Sequence, residues 1–343
     1  MSIVSNKPTI TRKEMEGVLD CLVNGELISG DSVKSFESNM SSVVKLRFSL
    51  AVNSPTSAYH LIYKALEIGP GDEVIIPSFF ELASLSALTL TGATATIVDI
   101  EENSFAPSLS QIKEKINDKT KAIVIGHNFG FPVDIKGLLE LNIPVIEDIS
   151  HFIGANFEEI GSSSIKVAAF SPGCLITTGN GGIVLTNNSR LYSSMKDSRD
   201  NYSKNITISY DYCLTDFQAA MGIHQLARLQ DFIKRRKEIA KLYFDAIKFA
   251  THKTVYHYSD EFVFQSFPLF FDSPVEKVET YWKKNKIEVI RPIHVPLHGY
   301  LKYRPLDYPN SERLANKLFS LPIYPTLTKK EIERVSKAVA KFT

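Results

Sequence analysis

The most reactive side chain in the chain's central glycine-rich stretch, Phe170 to Gly182, is Cys174. A thiolate is a nucleophile that adds reversibly to aldehydes, and His151 could serve as its base; the alternative is a small buried filler, the usual state of a free cysteine. Gly179-Asn180-Gly181-Gly182 is glycine-rich but leads into a strand-type run rather than a helix, which argues against a dinucleotide-binding turn. His294 and His298 have the spacing of a helical metal pair, yet Pro296 between them breaks such a helix. That segment therefore reads as a structural or substrate-lining loop, and no metal site is expected.

The elements that must position these groups follow an alternating rhythm. Short apolar runs at 49–53, 73–77, 94–99, 121–126 and 144–148 alternate with helical patterns. Runs with little polar alternation suit strands buried on both faces, joined by right-handed crossovers of a parallel sheet. The fold class is a three-layer α/β domain. Several strands end in polar residues (Asn53, Asp99, His127, Asp148), and ligands of open α/β sheets lie beyond those carboxyl ends. His127 and Asn128 are accordingly expected to line a crevice. Two further strands, 167–171 and 182–186, flank the cysteine stretch.

Ahead of this rhythm, Thr11 and Glu14 form a capping-box pattern for a first helix, and 32–42 reads as a second. From Thr215 to about Ala250 the pattern is helical, with Arg235-Arg236-Lys237 as its solvated face. Two domains are expected: 1–245, a large α/β domain with an N-terminal helical arm, and 246–343, a smaller α/β domain.

Charge is nearly balanced, 39 Lys plus Arg against 38 Asp plus Glu, so no net field draws the chain to nucleic acid or an anionic membrane. The N-terminus lacks a basic-then-apolar signal pattern and no run is long enough to span a bilayer, so a cytoplasmic protein is expected. Cys21, Cys174 and Cys213 lie far apart, which suits neither a disulfide framework nor a zinc knuckle.

Several segments together resemble the DegT/DnrJ/EryC1/StrS sugar aminotransferases, which have the type I pyridoxal-phosphate fold of aspartate aminotransferase. They are Ile28-Ser29-Gly30 with Phe36-Glu37, Leu66 to Pro77, Gly92-Ala93 with Val98-Asp99, and Val145 to Asp148. Thr177 to Gly182, Phe217 to Ala220 with Gln225 to Leu229, and Leu321 to Pro325 continue the series. The resemblance covers nearly the whole chain. It implies that Asp148 pairs with the pyridine nitrogen, the protonated ring being the electron sink; otherwise Asp148 caps the next turn. It puts His151 near the ring hydroxyl, unless that histidine is merely a satisfied surface residue. The phosphate would be held at a helix N-terminus by Ser54 and Thr56, with Ser171.

The same resemblance exposes departures. Its Schiff-base lysine falls at Cys174, five residues before Gly179, and a thiol cannot form an iminium or shuttle a proton as an amine does. Pro55 replaces a glycine of the phosphate cup and removes one backbone donor. The ring-stacking aromatic aligns with Glu81, with Phe80 beside it, and the partner subunit's asparagine-aromatic-arginine with Asp211-Tyr212-Cys213. A carboxylate facing phosphate costs about 4 kcal/mol at contact.

These residues lead to an aminotransferase-fold protein of nucleotide-sugar or surface-polysaccharide biosynthesis that has lost lysine-dependent transamination, with pyridoxal or pyridoxamine phosphate absent or weakly bound. The alternatives are a sugar aminotransferase or dehydratase that holds the cofactor non-covalently, and a non-catalytic partner of an active aminotransferase. The expected crevice has Cys174 and His151 at its centre, Asp148, Ser54, Thr56, Ser171 and Phe80 around the cofactor, and Glu81, His127, Asn128, Tyr212, His294 and His298 lining the substrate. Asp211 would come from the partner chain of a homodimer, or the chain would pair with an active aminotransferase.

Overall fold

The computed structural model describes residues 2–157, 160–200, 208–248, 254 and 256–342. Seven strands form its main sheet: β1 (Phe48–Val52), β2 (Glu73–Pro77), β3 (Thr94–Val98), β4 (Thr120–Gly126), β5 (Val145–Asp148), β6 (Ile165–Ala169) and β7 (Gly182–Thr186). Their order is β1-β7-β6-β5-β4-β2-β3. The expected apolar runs fall within a residue or two of these strands. All residues of β5 and β7 are buried, as continuous apolar strands between two helical layers require.

The sheet is mixed rather than wholly parallel. β7 runs antiparallel to both β1 and β6, while β2 to β6 pair in parallel. The reason is the short connection between β6 and β7: the loop through Cys174 turns back without a crossover helix, and a chain that does so must return antiparallel.

On one face, helices Pro55–Ala65 and Leu82–Thr91 cover a cluster that includes Leu50, Tyr59, Leu61, Val74, Ile76 and Val124. On the other, helices Asp31–Val44 and Asp216–Ala227 close over Phe36, Met40, Phe152, Phe170 and Ile183. The three-layer expectation holds. The first helix, Arg12–Asn24, has both hydrogen bonds of the capping box on Thr11 and Glu14.

A two-stranded antiparallel sheet, β8 (Phe267–Phe270) with β9 (Leu318–Leu321), is backed by helices Val275–Lys284 and Lys329–Lys341. Its core of Phe271, Trp282, Val335 and Val339 is continuous with Phe79, Ile100 and Phe129 from the ends of the main strands. The helical run after Thr215 breaks at Arg228 into Asp216–Ala227 and Leu229–Ile247. Arg236 departs from the expected solvated face. It is buried, and its Nη1 donates to the carbonyls of Gln265 and Ile323, so a residue in a run of basic side chains binds the helix to both flanks of the small sheet.

Gly182 opens β7 and pairs with Val52 on one side and Ala169 on the other. A Cβ there would lie 2.7 Å from the Ser54 carbonyl oxygen and 3.0 Å from the Pro55 nitrogen, both backbone atoms that cannot swing away. Gly182→Ala should therefore cost about 1–3 kcal/mol by overpacking. Gly69→Ala, whose Cβ meets nothing nearer than 4.0 Å, should stay within about 0.5 kcal/mol of wild type, both variants being read by urea titration.

Candidate functional site

Strand register gathers the site. Because Gly182 pairs with both Val52 and Ala169, the loops leaving β1 and β6 emerge side by side around the start of β7. Asp148 ends β5, paired with Gly126 of β4 and Val167 of β6. Ser54, Asp148 and Ser171 thus lie along one edge of the sheet, where carboxyl ends of parallel strands open a crevice.

Ser54 is the N-cap of helix Pro55–Ala65 and accepts from the Ser57 amide at 3.1 Å, with Pro55 in the first turn. Its hydroxyl also meets that of Ser57 at 2.8 Å. Thr56 is half-buried in the same turn. Pro55 has no N–H and the Ser57 and Ala58 amides bind Ser54, so the Thr56 amide is the one this turn leaves for an anion.

Both oxygens of Asp148 are engaged. Oδ1 accepts from the Ser150 amide at 2.8 Å and Oδ2 from the Tyr59 hydroxyl at 2.7 Å. Tyr59 is fully buried on helix Pro55–Ala65, so the element that offers its N-terminus to an anion also fixes the carboxylate. The sequence reading missed Tyr59; an aromatic in an apolar helical stripe has no signal that separates it from core.

Cys174 is buried, 3.3 Å from the Ser171 hydroxyl. Burial pushes its thiol up to about 11; contacts with Ser171 act the other way, and the charges of Asp148 and Glu81 add to the rise. The hydrogen-bond partner of the thiol is Ser171. His151 instead accepts the Phe129 amide on Nδ1 at 3.2 Å, and burial lowers its pKa, so the ring is neutral with its proton on Nε2. Phe129 reaches it from a left-handed conformation, φ 62°.

Phe80 is buried with its edge against Gly126, where a Cβ would come within 2.3 Å of the ring. Glu81 occupies the N-cap position of helix Leu82–Thr91 with no capping hydrogen bond from its side chain, and is exposed.

Other expected lining residues are placed elsewhere. His127 is buried: its Nε2 donates to Glu147 at 2.9 Å and its Nδ1 accepts the Val133 amide at 3.0 Å. Glu147 also binds Lys166, which lies within β6 against the Phe157 ring. Burial alone would raise Glu147; the hydrogen bond from His127 and the charge of Lys166 outweigh it and hold the carboxyl below its usual range. Asn128 is buried and donates to the Phe79 carbonyl. His298 is wholly buried between Ser78 and Glu312 and stacked on Tyr308, so both its nitrogens are used and it lines nothing. His294 is exposed on the preceding loop.

Asp211 lines a separate cavity of about 560 Å³ with Ile28, Lys34, Glu37 and Arg199. Tyr212 meets His60 Nδ1 at 3.0 Å and stacks on Tyr210. Neither joins the crevice around Cys174 of its own chain. Among the described residues no group of three or more His, Cys, Asp or Glu is placed to hold a metal, and no helix is long and apolar enough to cross a membrane.

A buried thiol raised this far should alkylate slowly. Iodoacetamide at neutral pH should leave Cys174 largely unmodified over a time in which it reacts completely in urea, as read by peptide mass spectrometry. Rapid modification of the folded chain would contradict the geometry.

The sequence matches the DegT/DnrJ/EryC1/StrS aminotransferase family over residues 8–340. It is 31% identical to GDP-perosamine synthase of Escherichia coli O157:H7 over 355 aligned positions, covering 98% of this chain and 97% of that one. In structure it is similar to S. venezuelae DesV, 26% identical with a TM-score of 0.89, over 96% of this chain and 93% of DesV. It also superimposes on a protein described as a sugar aminotransferase, Spr1654 of Streptococcus pneumoniae in a PMP form, with a TM-score of 0.92 at 22% identity, over 99% and 97% of the two chains. These findings overturn the expectation of an absent or weakly held pyridoxal or pyridoxamine phosphate: the family is one of aminotransferases, and the fold is solved with that group in PMP and PLP forms. Physically, ring and phosphate contacts are sources of affinity separate from any covalent tether. With the fold, the strand-end crevice and a match from residue 8 to residue 340 agreeing, the chain belongs to the DegT/DnrJ/EryC1/StrS aminotransferase family.

Proposed function

We propose that this chain is an enzyme of nucleotide-sugar metabolism, serving surface-polysaccharide synthesis, that holds pyridoxal or pyridoxamine phosphate without a covalent tether and carries out amination or dehydration at a sugar carbon. The observation that carries this reading is Asp148, fixed by Tyr59 and Ser150 at the same sheet edge as the Ser54 helix turn and Ser171. A carboxylate has about four lone-pair sites, so Asp148 retains capacity for a ring nitrogen beside its two present donors. The residues fit the ring and phosphate ends of the group, and Cys174 supplies no amine to tether it.

When bound, the group supplies an electron sink for chemistry at the sugar carbon. Asp148 would keep the ring nitrogen protonated, its position set by Tyr59 rather than by a flexible loop. The helix turn after Ser54 and the Ser171 hydroxyl would hold the phosphate, and neutral His151 could donate through Nε2 to a ring oxygen. The sugar nucleotide as substrate class is supported by the relationship to GDP-perosamine synthase.

We also propose a homodimer in which Asp211 and Tyr212 complete the partner's site. Helix Arg12–Asn24 presents Met15, Leu19, Leu22 and Val23 to solvent, continued by Leu27 and by Ile28 at the rim of the Asp211 cavity. A second copy covering this stripe would bring Asp211 to the interface.

Two experiments test these readings. The purified chain should take up pyridoxamine phosphate with its absorption band, and borohydride treatment of the pyridoxal form should leave no adduct on the protein; Asp148→Asn should weaken uptake about 10- to 100-fold, the loss of a hydrogen bond to a charged group. Absence of uptake, or a stable adduct on a lysine, would overturn the proposal. Sedimentation should give a dimer that Leu19→Lys with Val23→Lys converts to a monomer, whereas a wild-type monomer would remove the composite site.

A further inference from the structure

A small cavity adjoins Cys174 that the proposed chemistry does not use. Its walls include Lys7 and Thr9 of the N-terminal segment, Cys174 and Thr177 of the loop after β6, and Gln225 and Arg236 of the two helices after Thr215. It measures about 10 Å³, room for one particle about the size of a water molecule. Two of these walls carry polar atoms that are sealed from solvent and have no hydrogen-bond partner among the described residues: the Thr9 hydroxyl and Nε of Arg236. Thr9 is 9% exposed and Arg236 2%. Buried polar groups are seldom left in that state.

Charge is unmet as well as hydrogen bonding. Arg236 Nη1 donates to the carbonyl of Gln265 at 2.8 Å and to that of Ile323, acceptors that neutralise nothing. Burial lowers the guanidinium to about 10, so it is still a cation near neutrality. The ionisable group that acts on it is Cys174, whose thiol burial holds neutral, and His151, which feels its charge, is neutral too. Glu14, which shares the Gln225 amide with Thr9, is committed to Arg228 and Thr11. A buried cation without a counter-charge is costly. A water molecule in the cavity would satisfy the hydrogen bonds and leave the charge; an anion would answer both.

We infer that this cavity binds a monatomic anion, a halide such as chloride, held by the Arg236 Nε–H and the Thr9 hydroxyl. Its size excludes sulfate, phosphate and carboxylate ligands. A chloride ion is only slightly larger than a water molecule, and one wall is the segment from Asn6 to exposed Lys7, which can yield by the difference. Lys7 also places a second positive charge on the lining. The ion joins three pieces of chain: the N-terminal segment, the loop through Cys174 and the helix Leu229–Ile247. It adds to a seam that already exists, because Gln225 donates to the Thr9 carbonyl at 2.9 Å and Asn6 to the Pro172 carbonyl at 2.7 Å. No cofactor or sugar takes part in this site.

Urea titrations of the full chain at fixed ionic strength, with gluconate replaced stepwise by chloride, provide the test. A ligand that binds the folded chain alone stabilises it in proportion to occupancy, so the midpoint should rise with chloride along a one-site curve, and bromide should act alike. Crystals grown in bromide should show a single anomalous peak at this cavity, within hydrogen-bond distance of Arg236 Nε and Thr9 Oγ1. Thr9→Val keeps the side-chain shape and the backbone carbonyl that Gln225 holds, and should raise the half-saturating chloride concentration about 10-fold, the loss of one hydrogen bond to a charged group. Arg236→Met should abolish the halide response, and Thr9→Val carries the test where that variant does not fold. A midpoint indifferent to halide, an equal response in Thr9→Val, or a cavity without anomalous signal, as a bound water would give, overturns the inference.

Discussion

The buried ion pair of Glu147 and Lys166, with His127 hydrogen-bonded to it, is the constraint from which the site's geometry follows. All three are wholly inaccessible to water, and together they tie the ends of β4 and β5 to the middle of β6. Glu147 also accepts the Ser163 amide, so its carboxylate is satisfied on every side available to it. Such a cluster adds little net stability compared with apolar packing of equal volume, but it tolerates no slip: a register shift would strand a buried charge. Successive side chains on a strand point to opposite faces, so pinning Glu147 toward Lys166 directs Asp148 the other way, toward Tyr59.

That arrangement explains what could be read from the residues alone. The strands were legible because apolar runs bounded by turn residues leave few alternatives, and the capping box of Thr11 marks a helix start as clearly as any signal in the chain. Asp148 could be located because a strand-end acid in an α/β pattern has a defined place. His127 and His298 misled for a common reason. A histidine after a strand or in a loop has the same sequence signature whether it faces a crevice or is buried between two partners, and here both are buried. Lys166 and Glu147 carried a clue, since charged residues inside otherwise apolar strands require each other. Arg236 looked solvated for want of any mark distinguishing it from Arg235 and Lys237, and its partners, backbone carbonyls far along the chain, leave no trace in sequence.

The Cys174 stretch acquires a different meaning once Tyr59, Glu81 and Asp148 are placed around it. Burial first, and the charge of Asp148 second, raise the Glu81 carboxyl to about 7.

Arg236 has a mechanical consequence. Its helix leaves the large sheet's face, while its guanidinium, buried and charged, is clamped between the Gln265 and Ile323 carbonyls beside Cys174, with Gln265 in turn donating to the Gly173 carbonyl. Swinging the small sheet away would break these bonds and leave an uncompensated cation in an apolar setting, a steep barrier to hinge motion. The small sheet and the loop through Gly173 are thereby bound to one helix.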